Sequence, residues 1–485
     1  MHSGVRRFVD LLRHGALLPC TALLMALVRA ATDAETDLFW MAREGQQVLA
    51  GGSFVHADRW SWAPVPGNFA PTSPLWEILA GLAWHLGRPG LIALTVVTLF
   101  LCALGLAWVA RSLGAATPAV AIALLLSLAI EPPSWTGRAA LPAVVLLLVA
   151  LAAFHRLLPK LAATSLPTAL AKVSLGSFAV AWVGIGLHAS WTAYSLCVAA
   201  GFAWLAVGHG RRGGALAVAG GAAAIVGAST GPLGPAVWQQ VGRVASAGRG
   251  VITEWSPPGS LGSAALGAYL AGWLLLLLSL RALRGGGSGR SLLALLIGMA
   301  LAAQVAGATA ERFSFLAMSI AMPAMAVTLS SGLPPRLTAR LEHRLGERLH
   351  EAYWRNVLTA LAVTCLPLAI VFAPRAYAVL EAPALTSLPQ HCRLFSDDGT
   401  GSVAVLVRPD LQPWIDGRLD YWGPARMVAD RDLLLRAHAG TLVPAGAQCV
   451  AMPTGRYPAL SRALDASAAW RSMTRSGPIR AWARR

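Results

Sequence analysis

The sequence predicts an all-α polytopic membrane protein that ends in a small extracytoplasmic α/β domain. Three observations predict this fold class. The chain is 56% hydrophobic and only 13% charged, which is too apolar for a soluble protein of 485 residues. Apolar runs of roughly 17–20 residues, the length that a transmembrane helix needs, recur along most of the chain. After residue 373 these runs stop and short alternating segments begin.

The apolar runs predict eleven membrane crossings. A further apolar stretch, "PLWEILAGLAWHL" at 74–86, is too short to cross comfortably and carries Glu77 and His85. We expect this stretch to form an interfacial helix along the membrane surface. The predicted crossings lie near residues 15–31, 90–110, 116–130, 139–155, 173–187, 190–207, 214–229, 262–280, 291–309, 313–330 and 357–373.

Charge predicts the orientation of the chain. With eleven crossings the loops form two sets, and one set carries far more Arg and Lys than Asp and Glu. The positive-inside rule places that set in the cytoplasm, with the N-terminus, and places the C-terminal domain outside. The net charge of +17 is then a consequence of topology, so we expect no nucleic-acid partner. The expected location is the cell (plasma) membrane, as a multi-pass protein.

This orientation gathers most carboxylates on the outer side. The long first outer loop, about residues 32–73, opens with "ATDAETDLFWMAREG". Carboxylates are costly near hydrocarbon, so this concentration indicates either solvated loop residues or part of a site. The outer acidic residues are Asp33, Glu35, Asp37, Glu44, Asp58, Glu77, Glu131, Glu254 and Glu311, and His188, Arg138 and Arg312 lie on the same side at or near helix ends.

Residues 1–373 form the predicted membrane domain, and residues 374–485 form the predicted α/β domain. In the second domain, "HCRLFSD", "GSVAVLVRP", "PWIDGR" and "AQCVAMP" predict strands, whereas "ARMVADRDLLLRAH" and "PALSRALDASAAW" predict helices. Its two cysteines, Cys392 and Cys449, can form a disulfide outside the cell. Two free thiols on separate strands are the alternative.

Motifs typical of soluble enzymes are missing from the sequence, but a series of short motifs runs from about residue 35 to the C-terminus. These are "DLFWMAREG" from Asp37, "DRWSW" from Asp58, "PLWEIL" with Trp76 and Glu77, "GLHAS" around His188, "GPLG" at 231–234, "EWSPP" from Glu254, "ERFSF" around Arg312, and "WIDGRLDYWG" in the α/β domain. In this order they resemble the GT-C superfamily of integral-membrane glycosyltransferases, which includes protein O-mannosyltransferases and lipid A aminoarabinose transferases. The series is most similar to a little-characterised bacterial branch of that superfamily.

The resemblance implies a function in the cell envelope. Members of the superfamily take a sugar from a polyprenyl-phosphate carrier. The implied reaction is hexosyl or pentosyl transfer to an extracytoplasmic glycan, lipid or protein acceptor, and membrane lipids are expected to surround the protein. No cofactor is certain, although a carboxylate cluster can bind a divalent cation, Mg or Mn. Met41 replaces a family His, and Gly186 replaces a family Asn. These two departures leave open a catalytically silent member of the fold.

The implied transfer needs a base for the acceptor hydroxyl and positive charge for the departing phosphate. We expect Asp37 to be the general base, with Asp58 assisting through acceptor or cation binding. The alternatives are a capping or solvated Asp37 and a turn-forming Asp58, and the turn is favoured for Asp58. The "WIDGRLDYWG" charges, Asp416, Arg418 and Asp420, are predicted to fix a turn by mutual salt bridges.

Six further residues are predicted to bind substrate, and four of them have a structural alternative. For the two arginines among them, anchoring in the lipid headgroups is the commoner role. The histidine is either functional or a hydrogen-bonded structural residue, and Glu254 either lines the acceptor entry or caps a turn. The six residues are Glu35, Glu77, Arg138, His188, Glu254 and Arg312.

A membrane transporter or lipid-handling protein is the second function class. A transporter places ionisable groups near mid-membrane and shows repeated halves. In this sequence the charges avoid the middles of the apolar runs, and no matching halves are visible. The one-sided distribution of polar residues therefore favours an enzyme.

Overall fold

A computed structural model describes residues 17–32, 35–64, 67–247, 255–284, 289–331, 351–372, 376–435, 443–474 and 479–485. Its contacts divide the chain into two compact units. We call residues 1–32, 95–238 and 253–373 the helical unit, and residues 33–94, 239–252 and 374–485 the sheet unit.

The described residues are mostly helical. In chain order the helices are α1 (Leu17–Thr32), α2 (Asp37–Leu49), α3 (Pro74–Trp84), α4 (Arg88–Ser112), α5 (Thr117–Ile130), α6 (Ala140–Ala162), α7 (Leu166–Leu187), α8 (Trp191–Ala206), α9 (Gly210–Ser229), α10 (Ala236–Ala247), α11 (Ser263–Ser279), α12 (Arg290–Gly307), α13 (Glu311–Ser330), α14 (Glu351–Phe372), α15 (Pro383–Thr386), α16 (Asp398–Val407), α17 (Leu419–Trp422), α18 (Pro424–Leu435) and α19 (Pro458–Ala466). The strands are β1 (His56–Ala57), β2 (Asn68–Phe69), β3 (Arg393–Ser396), β4 (Gln412–Pro413), β5 (Cys449–Pro453), β6 (Trp470–Ser472) and β7 (Ile479–Arg484).

Each predicted crossing coincides with a helix, and the chain has the helices of a multi-pass membrane protein. Within the described residues, 8 helices are long and apolar enough to cross a membrane. Helices α1, α5 and α8 are shorter, at 16, 14 and 16 residues. The count of eleven crossings and the orientation of the termini therefore stay predictions.

The helical unit is held together by close approaches at small residues, as is common between membrane helices. A Cβ at Gly227 of α9 would lie 2.5 Å from the carbonyl oxygen of Phe178 in α7. Trp191, fully buried at the start of α8, packs on Gly184 of α7 and donates its indole N–H to the carbonyl of Ala143 in α6 at 3.1 Å. These contacts fix the carboxyl end of α7.

In the sheet unit, α2 and α3 touch backbone to backbone. A Cβ at Gly45 would lie 1.8 Å from the carbonyl oxygen of Glu77, and a Cβ at Gly81 would lie 2.5 Å from the carbonyl carbon of Gly45. No side chain fits at either position, so glycine is required on both helices. This approach fixes α2, which carries Asp37 in its first turn.

The sheet unit also contains a five-stranded sheet with the order β4-β3-β5-β7-β6. Strand β3 runs parallel to β4 and β5, and β7 runs antiparallel to β5 and β6. The register pairs Val450 with Trp482. Both side chains are fully buried with Phe395 and Leu464, so the apolar strand residues form the core of this unit.

Most of the predicted C-terminal elements are confirmed. Strands β3 and β5 occupy "HCRLFSD" and "AQCVAMP", and helices α18 and α19 occupy the two predicted helical segments. The strand predicted for "GSVAVLVRP" was wrong, because this segment lies in α16. The side chain of Asp397 accepts a hydrogen bond from the Thr400 N–H at 3.1 Å and caps the helix. The helix is buried on most sides, so its sequence shows no helical period.

Two other features differ from the sequence analysis. "PWIDGR" contributes only Pro413 to the two-residue strand β4, and β6 and β7 are additional strands. The contacts group residues 33–94 with the C-terminal residues. The division at residue 373 follows chain order and stays a prediction, as does the surface position of α3.

Cys392 and Cys449 are joined by a disulfide, with their Cα atoms 6.1 Å apart. The bridge joins the residue before β3 to the first residue of β5. Of the two alternatives that the sequence left open, the structure has the disulfide.

Removing this bridge should destabilise the sheet unit. The cysteines are 57 residues apart, and chain entropy gives a loop of this size about 4 kcal/mol of stabilisation. We expect the Cys392→Ser/Cys449→Ser double variant to unfold at a lower temperature than wild type. The control is Cys365→Ser, which changes an exposed free cysteine. Equal unfolding temperatures for the double variant and the control would contradict a stabilising role for the disulfide.

Candidate functional site

The predicted site residues fall into two groups, one in each unit. Glu35, Asp37, Asp58 and Glu77 lie in the sheet unit, whereas Arg138, His188 and Arg312 lie in the helical unit. Glu254 lies outside the described residues.

In the sheet unit, one face of α2 carries the relevant polar groups. Asp37 opens the helix, where a negative charge interacts favourably with the helix dipole, and Trp40 and Glu44 follow one and two turns later. The indole N–H of Trp40 donates to Asp37 Oδ1 at 3.3 Å. Glu35, directly before the helix, is 7% exposed, and Glu77 in α3 is 1% exposed. Both are therefore buried carboxyls.

Arg418 is fully buried and makes ion pairs with three carboxylates of the sheet unit. Its Nε and Nη2 donate to the two oxygens of Asp416 at 2.9 and 2.7 Å. Nη2 also donates to Asp58 Oδ1 at 3.0 Å, and Nη1 donates to Glu44 Oε1 at 3.3 Å. Arg418 thus links α2, the residue after β1 and the segment after β4.

These carboxylates keep Arg418 charged in spite of its burial. Burial alone lowers the pKa of Arg418, but Asp416, Asp58 and Glu44 together raise this pKa above its ordinary value. The predicted salt bridge between Asp416 and Arg418 is confirmed. The structure adds Glu44 and Asp58 to this pair.

Aromatic rings surround the same guanidinium. The ring centroids of Trp60, Tyr421 and Phe69 lie 4.4, 5.0 and 5.2 Å from the guanidinium carbon, and that of Trp422 lies 6.0 Å away. Such rings attract a cation through their negative faces. The first loop and the C-terminal residues of the sheet unit therefore share one charged, aromatic centre.

Asp58 makes the contacts of a structural residue. Its Oδ1 accepts the backbone N–H of Trp60 at 3.1 Å, which closes a turn, and also accepts from Arg418. Its side chain is 0% exposed, and Oδ2 has no hydrogen-bond partner among the described residues. The turn is therefore present, and a catalytic role for Asp58 stays a prediction.

His56 extends the cluster by one residue. Its Nε2 lies 2.8 Å from Glu44 Oε2, and its Nδ1 lies 3.0 Å from the carbonyl oxygen of Ala57. The hydrogen bond to Glu44 is the main cause that raises the pKa of His56 above its ordinary value. Neither His56 nor Glu44 was predicted as a site residue. The only signal for Glu44 was its spacing from Asp37 along one helix face.

In the helical unit, Arg138 and Arg312 lie close enough to His188 for their charges to act on its imidazole. Burial, together with the charges of Arg312 and Arg138 in that order, lowers the pKa of His188 to about 3. The imidazole is therefore neutral at physiological pH. His188 Nδ1 accepts the backbone N–H of Ser190 at 3.1 Å, so the ring proton is on Nε2.

Two carboxyls lie near this group. Burial, with a smaller effect from the charge of Glu311, raises the pKa of Glu131 to about 8. Glu131 is therefore mostly protonated at neutral pH. Arg312 follows Glu311 in the first turn of α13, and its guanidinium lies 5.6 Å from the Trp255 ring centroid. Two arginines beside a neutral histidine make a local arrangement that can bind an anion.

The described residues do not support a metal site of their own. No three of their His, Cys, Asp and Glu side chains lie close enough together to hold a metal ion. The carboxylates of Asp58 and Glu44 are already paired with Arg418. We therefore derive no chemical step through Mg or Mn.

Removing the buried guanidinium should strongly destabilise the sheet unit. Arg418→Met leaves three carboxylates without their cation, and breaking a buried pair of this kind costs roughly 3–5 kcal/mol. We expect a large fall in the thermal unfolding temperature of the purified protein. The control is Arg462→Met, because Arg462 is exposed on α19 of the same unit. A similar unfolding temperature for both variants would contradict a stabilising role for the cluster.

The pair of His56 with Glu44 should make stability depend on pH. The folded-state pKa of His56 is raised. The contribution of the pair to the free energy of unfolding is therefore complete below the unfolded pKa of His56, about 6.5. This contribution is lost as the pH rises through the folded pKa. We expect wild type to lose on the order of 1 kcal/mol over this range, measured as unfolding temperature against pH. His56→Gln should show a flatter profile. His85→Gln, at an exposed histidine of the same unit, should keep the wild-type profile, and a wild-type profile for His56→Gln would refute the pairing.

Comparison with known proteins identifies the fold. No model of a known protein family matches the sequence, and no curated protein does. Solved structures of the oligosaccharyltransferase of Archaeoglobus fulgidus do match. Its apo form has a TM-score of 0.51 at 12% identity, over 92% of this chain and 71% of that one. The archaeal oligosaccharyltransferase AglB from Archaeoglobus fulgidus, in complex with an inhibitory peptide and a dolichol-phosphate, matches with a TM-score of 0.51 at 12% identity, over 96% of this chain and 73% of that one.

At this identity the likeness shows the fold alone. The solved oligosaccharyltransferase structures share the fold of this chain, and its membership in the GT-C superfamily stays a prediction. The assignment to one bacterial branch stays a prediction.

Proposed function

We propose that this protein is a membrane glycosyltransferase that moves a sugar from a polyprenyl-phosphate-linked donor to an extracytoplasmic acceptor. The observation that carries the proposal is a fold shared with oligosaccharyltransferases over nearly the whole chain. One of those structures contains a dolichol-phosphate and a peptide, which supports a lipid-linked donor here. The acceptor class, glycan, lipid or protein, is open.

In the proposed reaction, Asp37 is the general base. An acceptor hydroxyl attacks the sugar carbon that carries the phosphate, the bond between that carbon and the phosphate oxygen breaks, and polyprenyl phosphate leaves. Asp37 takes the hydroxyl proton. Its place in the first turn of α2, partly exposed and hydrogen-bonded by Trp40, supports this role. Asp58 is proposed to assist through acceptor or cation binding, and Glu35 and Glu77 are proposed to bind substrate.

Arg138, Arg312 and His188 are proposed to bind the phosphate of the donor. Two guanidinium groups can neutralise the charge of the departing phosphate. His188 is neutral with its proton on Nε2 and can donate a further hydrogen bond. Glu254 is proposed to line the acceptor entry.

The proposal predicts that transfer depends on the Asp37 carboxylate. In nanodiscs with radiolabelled polyprenyl-phosphate sugars, we expect wild type to transfer or hydrolyse at least one sugar. Asp37→Asn should lower kcat by roughly 100-fold or more, because it removes the general base. The control is Asp410→Asn, since Asp410 pairs with Arg408 just after α16, and it should keep wild-type activity.

Each other outcome has a defined meaning. Equal activity of wild type and Asp37→Asn removes Asp37 from the mechanism. If wild type binds the carrier without turnover, the proposed transferase activity is contradicted, and a silent scaffold or a lipid-handling protein is favoured. Parallel assays with Mg, Mn and a chelator test the predicted cation directly.

A further inference from the structure

The segment Asp416–Arg418 passes directly beside the Asp37 carboxylate. A Cβ at Gly417 would lie 3.1 Å from Asp37 Oδ1, 3.0 Å from Trp40 Cδ1 and 2.8 Å from Ser402 Oγ. Gly417 is not among the glycines with positive φ. The position therefore needs glycine for space, and its backbone conformation is open to other residues.

Gly417 is itself held in place. Its N–H donates to Ser402 Oγ at 2.9 Å, and the Ser402 hydroxyl donates to the Asp398 carbonyl oxygen in the first turn of α16 at 2.9 Å. Its neighbours Asp416 and Arg418 are both 0% exposed and paired with each other. The backbone of residues 416–418 is therefore held rigidly beside Asp37.

Trp40 is fixed beside the same carboxylate. It is 3% exposed and packs edge-to-face on Phe69, with ring centroids 6.0 Å apart. Its indole N–H, the only donor of this side chain, points to Asp37 Oδ1 at 3.3 Å. Rotation of the indole away from Asp37 would disrupt this packing.

We propose that Trp40 and Gly417 are positioning residues for the Asp37 carboxylate. Trp40 orients the carboxylate through one hydrogen bond, and glycine at 417 leaves the space that the carboxylate occupies. This inference rests on the proposed function, in which Asp37 is the general base.

Two substitutions test the proposal through kinetics. Trp40→Phe keeps the ring packing and removes the donor, so kcat should fall several-fold at nearly unchanged donor KM, because the base is no longer oriented. Gly417→Ala should lower kcat by about 10- to 100-fold at nearly unchanged donor KM, because a displaced base lowers the rate of the chemical step. The controls are Trp470→Phe in β6 and Gly455→Ala, where an added Cβ meets no atom within 4 Å. Unchanged kinetics in both test variants would overturn the proposal.

A spectroscopic measurement tests the contact without any turnover. In protein labelled with 5-fluorotryptophan, the ¹⁹F resonance that disappears in Trp40→Phe belongs to Trp40. We expect this resonance to shift in Asp37→Asn and in Gly417→Ala, and to stay unchanged in Gly455→Ala. An unchanged resonance in both test variants would overturn the proposed positioning.

The two proposals fail in different ways. If Asp37→Asn stays active, the proposed function loses its base, whatever the Trp40 resonance shows. If Asp37→Asn is inactive but Trp40→Phe and Gly417→Ala behave like wild type, the positioning inference fails alone.

Discussion

The buried guanidinium of Arg418 is the interaction on which the sheet unit depends. It joins Glu44 of α2, Asp58 of the first loop and Asp416 of the C-terminal residues in one network. A lone buried charge is unstable, so each partner requires the others. The same residues place α2 and the segment at Gly417 side by side, and Asp37 lies at the start of α2, where Gly417 approaches it. Stability of this unit and the geometry of the candidate base therefore share one cause.

Close backbone contact is the second constraint. Gly45 and Gly81 bring α2 and α3 together, and Gly417 brings the C-terminal segment to Asp37. A side chain at any of these positions would separate elements that must touch. The disulfide between Cys392 and Cys449 adds a covalent link inside the sheet. The carboxylate of Asp37 is thus set by rigid surroundings, as a catalytic base requires.

The sequence predicted the helices well because long apolar runs carry a strong signal. It also located the charged "WIDGRLDYWG" segment and predicted its internal salt bridge. It could not show that Arg418 also binds Glu44 and Asp58, because those partners lie more than 300 residues away along the chain. "GSVAVLVRP" was mistaken for a strand because a short buried helix shows no amphipathic period.

The site was predictable only in part, for a similar reason. Motif resemblance singled out Asp37, His188 and Arg312 as candidate site residues, and their roles stay predictions; residue types alone do not show contacts. The neutral state of His188 depends on its burial and on two arginines distant in sequence. The role of Gly417 depends on a space of a few ångströms, which no sequence pattern records.

The most direct measurement of the central claim is a cryo-EM structure of Asp37→Asn in nanodiscs with a polyprenyl-phosphate sugar bound. The substitution keeps the shape of the side chain and removes the proposed base, so the donor should remain intact. We predict density for the sugar next to residue 37, with Trp40 and Gly417 in contact with that residue. A donor bound with its sugar remote from residue 37 would contradict the proposed mechanism.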